Sequence, residues 1–187
     1  MIKSSFFPTI VLLCLSSLDS FSQEIKTVPT PELINQIYYY EPSSNTLKKL
    51  EKTTAEYKGK TKALGMGGSK VVCQIKGKTS SISFAQSDSL SFVVNLGENA
   101  ADPSLWFQLY KADIKNNKRE AAYVETNTLG KTKKSESIIK YDVKKIQDKL
   151  YRFIPSQKLG KGEYFFLYTM SYYNGSPQVD VFCFSIN

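Results

Sequence analysis

The chain has 187 residues, 41% of them hydrophobic, with 25 Lys and Arg against 17 Asp and Glu, a formal net charge of +8 and no histidine. Without histidine, Ser-His-Asp and Cys-His hydrolysis, His-ligated metal sites and histidine-based pH switching are excluded. The positive charge is nearly all lysine, Arg119 and Arg152 being the arginines; nucleic-acid readers rely on arginine for bidentate contacts, so a nucleic-acid partner is not expected.

Residues 1–22 have the build of a cleavable secretory signal: Lys3, an apolar run over 6–18, and Ser20-Phe21-Ser22 before Gln23. The run is too short to span a bilayer and is interrupted by Pro8. Leu13, not a small residue, precedes Cys14, which favours plain secretion over lipid attachment. The expected product is a secreted or periplasmic domain over 23–187, with no membrane span, long enough to bury a core of its own.

In chain order, 24–31 reads as a proline-punctuated lead-in. Ile37-Tyr38-Tyr39-Tyr40 is an aromatic strand signal, and Pro42-Ser43-Ser44-Asn45 is a turn. Three successive tyrosines cannot share a face of a strand, so part of this run is expected to be exposed. The stretch 47–60 carries only a weak helical stripe, and Thr53 and Thr54 favour the return strand of a hairpin. Beyond the Gly65 to Gly68 loop come apolar or alternating runs at 71–75, 82–84, 92–96, 105–110, 121–125, 138–143, 151–154, 164–172 and 179–186, separated by turn residues such as Asn116-Asn117 and Asn174-Gly175. This spacing predicts an all-β chain, an immunoglobulin-like or Greek-key β-sandwich of about nine strands with little helix. The last two runs are apolar on both faces, as in a central hairpin.

Leu159-Gly160-Lys161-Gly162-Glu163-Tyr164 resembles the tyrosine corner of Greek-key sandwiches, which implies a structural role for Tyr164. Trp106 is comparable to the core tryptophan of immunoglobulin-like domains, although Cys73 lies too far upstream for the usual Cys-Trp spacing. With the signal, Asp102-Pro103-Ser104 before a strand and the closing G-E-Y hairpin, the chain resembles secreted bacterial β-sandwich proteins. That resemblance carries no activity over.

Cys73 and Cys183 both fall in strand-like runs; an oxidising compartment permits a disulfide, and burial as two small hydrophobes is the alternative. Ser137-Ile138-Ile139-Lys140 matches S-x-x-K, but it reads as strand where that motif opens a helix, and its companion motifs are missing. Gly65-Met66-Gly67-Gly68-Ser69-Lys70 fits neither phosphate-binding glycine pattern. Carboxylates (Glu98, Asp102, Glu120, Glu125, Asp142, Glu163, Asp180) form the catalytic inventory, and no pair among them is marked out. No catalytic residue, cofactor or metal site is expected. Elimination leaves a non-catalytic secreted or periplasmic module acting through contacts with an envelope protein. The alternative is a glycan-binding module, for an anionic glycan, using lysines and the loop residues Tyr172, Tyr173 and Asn174.

Overall fold

The computed structural model describes residues 27–61, 68–87, 90–98, 102–127, 129, 131–170 and 177–187. The expected signal segment and Tyr172, Tyr173 and Asn174 lie outside them. The described residues form strands β1 (Ile37–Glu41), β2 (Thr46–Lys49), β3 (Glu51–Thr61), β4 (Ser69–Lys76), β5 (Ser83–Phe84), β6 (Phe92–Asn95) and β7 (Phe107–Lys115). They continue with β8 (Lys118–Thr126), β9 (Thr132–Lys134), β10 (Ile138–Ile139), β11 (Tyr141–Gln147), β12 (Leu150–Pro155), β13 (Gly162–Tyr168) and β14 (Gln178–Ile186). The protein is nearly all β, as its residue pattern predicts, and no helix among the described residues is long and apolar enough to cross a membrane.

The strands form two packed sheets. The smaller has the order β11-β12-β6-β1-β2, and the larger runs β10-β7-β13-β14-β3-β4-β8-β9, with β5 alongside the end of β14. Two runs expected as single strands are divided because the chain changes sheet within them. β2 and β3 are separated by Leu50, which turns inward at 6% exposure, and β10 and β11 by Lys140. Such corners let one strand serve both layers of a sandwich. The run predicted at 105–110 starts later, at Phe107. Asp102 caps a 3-10 turn over Pro103–Leu105 by accepting the Ser104 N–H at 2.8 Å, with the proline in the first turn where no N–H is needed.

The larger sheet closes on itself. β7 pairs with β13, β13 with β14, β14 with β3, β3 with β4, β4 with β8, and β8 pairs back with β7 from Asp113↔Glu120 to Lys115↔Lys118. The hairpin that completes this six-stranded ring turns on Asn116 and Asn117, whose φ of 49° and 61° are those of a two-residue type I′ connection. Gly68 (φ 80°) opens β4 where a Cβ would stand 2.1 Å from the Thr126 carbonyl oxygen, so only glycine fits.

Two cores result. Inside the ring pack Ala55, Cys73, Ile75, Tyr110, Ala112, Ala121, Phe165, Leu167, Val179, Val181 and Cys183. Between the sheets lies an aromatic layer that includes Phe92, Phe107, Phe153, Tyr164, Phe166, Phe182 and Phe184. Phe92 meets Phe184 at 4.9 Å and Phe166 at 5.1 Å between ring centroids, and Tyr164 stacks on Phe184 at 5.4 Å. The Tyr164 hydroxyl also donates to the Gly160 carbonyl, four residues upstream, at 2.7 Å. Trp106, at the end of the 3-10 turn, is half-buried against this layer.

The tyrosine run divides between the two faces of β1. Tyr39 faces the aromatic layer, while Tyr38 and Tyr40 are buried on the outer face of the small sheet with Val93 and Leu150 under Val28 and Leu47. The lead-in segment covers that face through Val28, while Tyr39 on the other face is only partly buried.

Burying a phenylalanine in such a layer leaves a large void on truncation. Phe184→Ala is expected to cost about 3–5 kcal/mol, and Tyr164→Phe, which keeps the ring and loses the hydroxyl bond, about 0.5–1.5 kcal/mol. Urea midpoints at unchanged slope check both; equal losses would mean that Tyr164 acts through more than its hydroxyl.

Candidate functional site

The two ends of the ring differ in chemistry. At the end where β7 and β8 pair, alternation turns Arg119 inward in line with Ala121, and its side chain is 2% exposed. Its Nη2 donates to Glu51 Oε1 at 2.9 Å and to the Lys76 carbonyl at 3.2 Å, and Nη1 stands 3.9 Å from Glu163 Oε2. Glu163 in turn accepts from the Ser185 hydroxyl at 2.6 Å and the Ser80 N–H at 2.8 Å, and Glu51 accepts from the Ser81 N–H at 2.8 Å. Arg119 Nε is buried with no hydrogen-bond partner among the described residues.

Burial alone would push the Glu51 carboxyl up. The hydrogen bonds from Arg119, Ser80 and Ser81, with the guanidinium charge, outweigh it and hold the group below its ordinary value. Arg119 shows the mirror case: burial lowers it and Glu51 more than restores it. The arrangement is therefore a charge-paired plug across the end of the barrel, one guanidinium held between two carboxylates. Glu51 is not among the carboxylates that the sequence singles out, because before folding it is one acid among many. The signal that points to the plug is Arg119 two residues before the apolar Ala121 on a strand.

The remaining sequence-derived carboxylates are dispersed. Glu120 lies on the outer face of β8, bound by Lys60 Nζ at 2.6 Å and Gln74 Nε2 at 2.6 Å, and Asp180 pairs with Lys52 at 3.1 Å. Glu98 pairs with Lys149, Asp102 caps the 3-10 turn, and Glu125 stays on β8 opposite Lys70. Asp142 stands at the rim of a groove at the opposite end of the ring. Among the described residues no group of His, Cys, Asp and Glu could hold a metal ion.

Cys73 and Cys183 are unlinked and fully buried inside the ring. Burial pushes the Cys73 thiol up to about 12 and also raises Cys183, against the pull of the Arg119 guanidinium. Neither thiol is poised to ionise, which nucleophilic or metal-binding cysteines require.

At the other end β7 and β8 part. β9 attaches to β8 along Val124 to Thr126, β10 attaches to β7 at Leu109 and Tyr110, and a short turn joins them. The gap is a groove of about 680 Å³ with Tyr110, Tyr123 and Ile138 on its walls and Ser104, Asp142 and Ser156 at its rim. Its tyrosines are engaged from behind. Tyr110 stacks on Phe165 at 5.3 Å and donates to Gln108 Oε1 at 2.7 Å, and Tyr141 donates to the Phe107 carbonyl. Burial raises the pKa of both hydroxyls. The same end carries the exposed side chains of Leu105, Leu129 and Met170. The chain leaves the described structure at Met170 and returns at Pro177.

Two outcomes are expected. Arg119→Met, which strands two carboxylates, costs about 3–5 kcal/mol by denaturant titration. Because the folded value of Glu51 lies below its ordinary 4.5, its contribution is intact above that pH and disappears as pH falls through the lower folded value. Glu51→Gln is thus less stable than the parent at neutral pH and loses less on acidification; parallel stability-pH curves would refute the plug's electrostatics. Second, native protein resists thiol alkylation at Cys73 and Cys183, and both react on unfolding without reductant. Failure of the unfolded chain to react would mean that the two are joined.

No protein-family model, curated protein or solved structure matches the chain, so the chemistry of these two ends carries the functional assignment.

Proposed function

We propose that the protein is a non-catalytic module of the extracytoplasmic space that works by gripping a partner protein at the open end of its barrel. The groove between the parted β7 and β8 is the observation that carries this assignment: it combines apolar walls (Tyr110, Tyr123, Ile138), a polar rim and neighbouring exposed Leu105, Leu129 and Met170. Concave apolar ground with a few polar groups at its margin is what an anchoring side chain of a partner fills. The short free edges of β9 and β10 beside it add unpaired backbone groups that an extended segment could join.

The charged groups support a binding role over a catalytic one. Glu51 and Glu163 are tied to Arg119 and to backbone and hydroxyl donors at the sealed end, and the raised thiols are a poor source of thiolate. Sugar stacking inside the groove is disfavoured because the Tyr110 ring is already stacked on Phe165. The apolar run and small-residue site at 1–22 support the extracytoplasmic address.

The test is capture from envelope extract, washed in high salt so that lysine-driven adhesion is screened. One arm uses the parent protein and one the Ser104→Arg/Ser156→Arg variant, which fills the groove from two exposed rim positions. A protein held by the parent and lost by the variant, at equal circular dichroism, is the expected result. Equal capture by both, or capture of polysaccharide alone that disappears on Tyr172→Ala/Tyr173→Ala, would overturn the proposal.

A further inference from the structure

The sealed end carries a second feature, on its outer surface. Lys76 on β4 lies directly opposite Lys118 on β8, and Lys118 lies directly opposite Lys115 on β7. Directly opposed residues of paired strands share a face with Cβ atoms about 5 Å apart, and like charges there repel. Three lysines therefore stand in a row across three neighbouring strands, with Lys78 following where Gly77 bridges to Lys118.

Among the described residues no carboxylate closes onto Lys76 or Lys118 in an ion pair. Lys118 Nζ donates to the neutral Gln74 Oε1 at 2.7 Å. Lys115 reaches Asp113 at 3.6 Å between two exposed side chains, a contact that salt screens readily. The acids of this face close onto other lysines, Glu56 onto Lys58 at 2.8 Å and Glu120 onto Lys60 at 2.6 Å, while their charges also reach the row, Glu56 toward Lys76 and Lys118 and Glu120 toward Lys115. A small polar depression lies between Glu56, Gln74, Lys76, Lys118 and Gln178, with the Gln74 amide held between Lys118 and Glu120.

We propose that the Lys76-Lys118-Lys115 row docks a linear acidic polysaccharide. Regularly spaced cations on a rigid ladder complement a chain that presents one carboxylate or sulfate per sugar or two. A lipid surface is the poorer complement. The exposed Leu105, Leu129 and Met170 lie at the far end of the barrel, and Ile114, at this end, is on the opposite face of β7 from Lys115. The site is separate from the groove, so either assignment can fail alone.

The experiment measures binding of the purified protein to polygalacturonate and heparin at about 0.15 M salt, with phosphatidylglycerol vesicles and duplex DNA as competing probes. The parent is expected to bind a polysaccharide, and Lys76→Gln/Lys115→Gln/Lys118→Gln to bind roughly tenfold more weakly at unchanged circular dichroism. A control, Lys144→Gln/Lys145→Gln/Lys161→Gln, loses the same charge elsewhere and keeps the parent's affinity. Equal weakening by the control, no polysaccharide binding, or a preference of the row for vesicles or DNA would overturn the proposal.

Discussion

Everything in this fold depends on β13, β14 and the first half of β7 carrying buried side chains on both faces. Successive side chains on a strand point to opposite sides, so each buried residue of these strands is committed to one of two cores. On β13, Tyr164 and Phe166 enter the aromatic layer while Phe165 and Leu167 enter the ring. On β14, Phe182 and Phe184 go one way and Val181 and Cys183 the other. The sizes differ to match: a six-stranded ring has a narrow interior, filled here largely by Ala, Val and Cys around Tyr110 and Phe165. A slip of one residue would push phenylalanines into that space and leave small residues facing the second sheet, which close packing does not tolerate.

That register needs an anchor, since apolar runs on both faces discriminate poorly between slips of two residues. Arg119, Glu51 and Glu163 come from β8, β3 and β13, and they meet only in the observed pairing. A slip of any of the three strands would leave a charge buried without its partner. Buried ion pairs add little net stability over apolar substitutes. Their value here is geometric: they select one ring among the closures that the apolar pattern allows.

The sequence disclosed what is local. Alternation located most strands, Asn116-Asn117 marked the ring-closing turn, and the G-x-Y spacing placed Tyr164 beside the Gly160 carbonyl. What it hid is long-range. Nothing in 47–60 or 138–143 distinguishes a strand from one that changes sheets at Leu50 or Lys140, because the bend is set by what each half pairs with. The groove is likewise made by residues from β7, β8, β10 and β11 that only the closed ring assembles. Glu51 and the lysine row share that difficulty. A charge on a strand shows its role only when its cross-strand neighbour is known.

The β7–β8 hairpin links the two ends and gives them different mechanical characters. Where it is paired, ladder bonds, the I′ turn and the plug beneath over-determine the backbone, so surface charges there are held in fixed relative positions. Recognition by such an array requires little ordering of the protein, the main entropic cost left being that of the lysine side chains. Where the hairpin parts, short β9 and β10 end in free edges, with fewer ladder bonds to oppose local opening. A fixed cationic array suits a repeating polymer whose charges recur at regular intervals. The same two strands, paired at one end and separated at the other, thus place a cationic row and an apolar-walled groove within a single barrel.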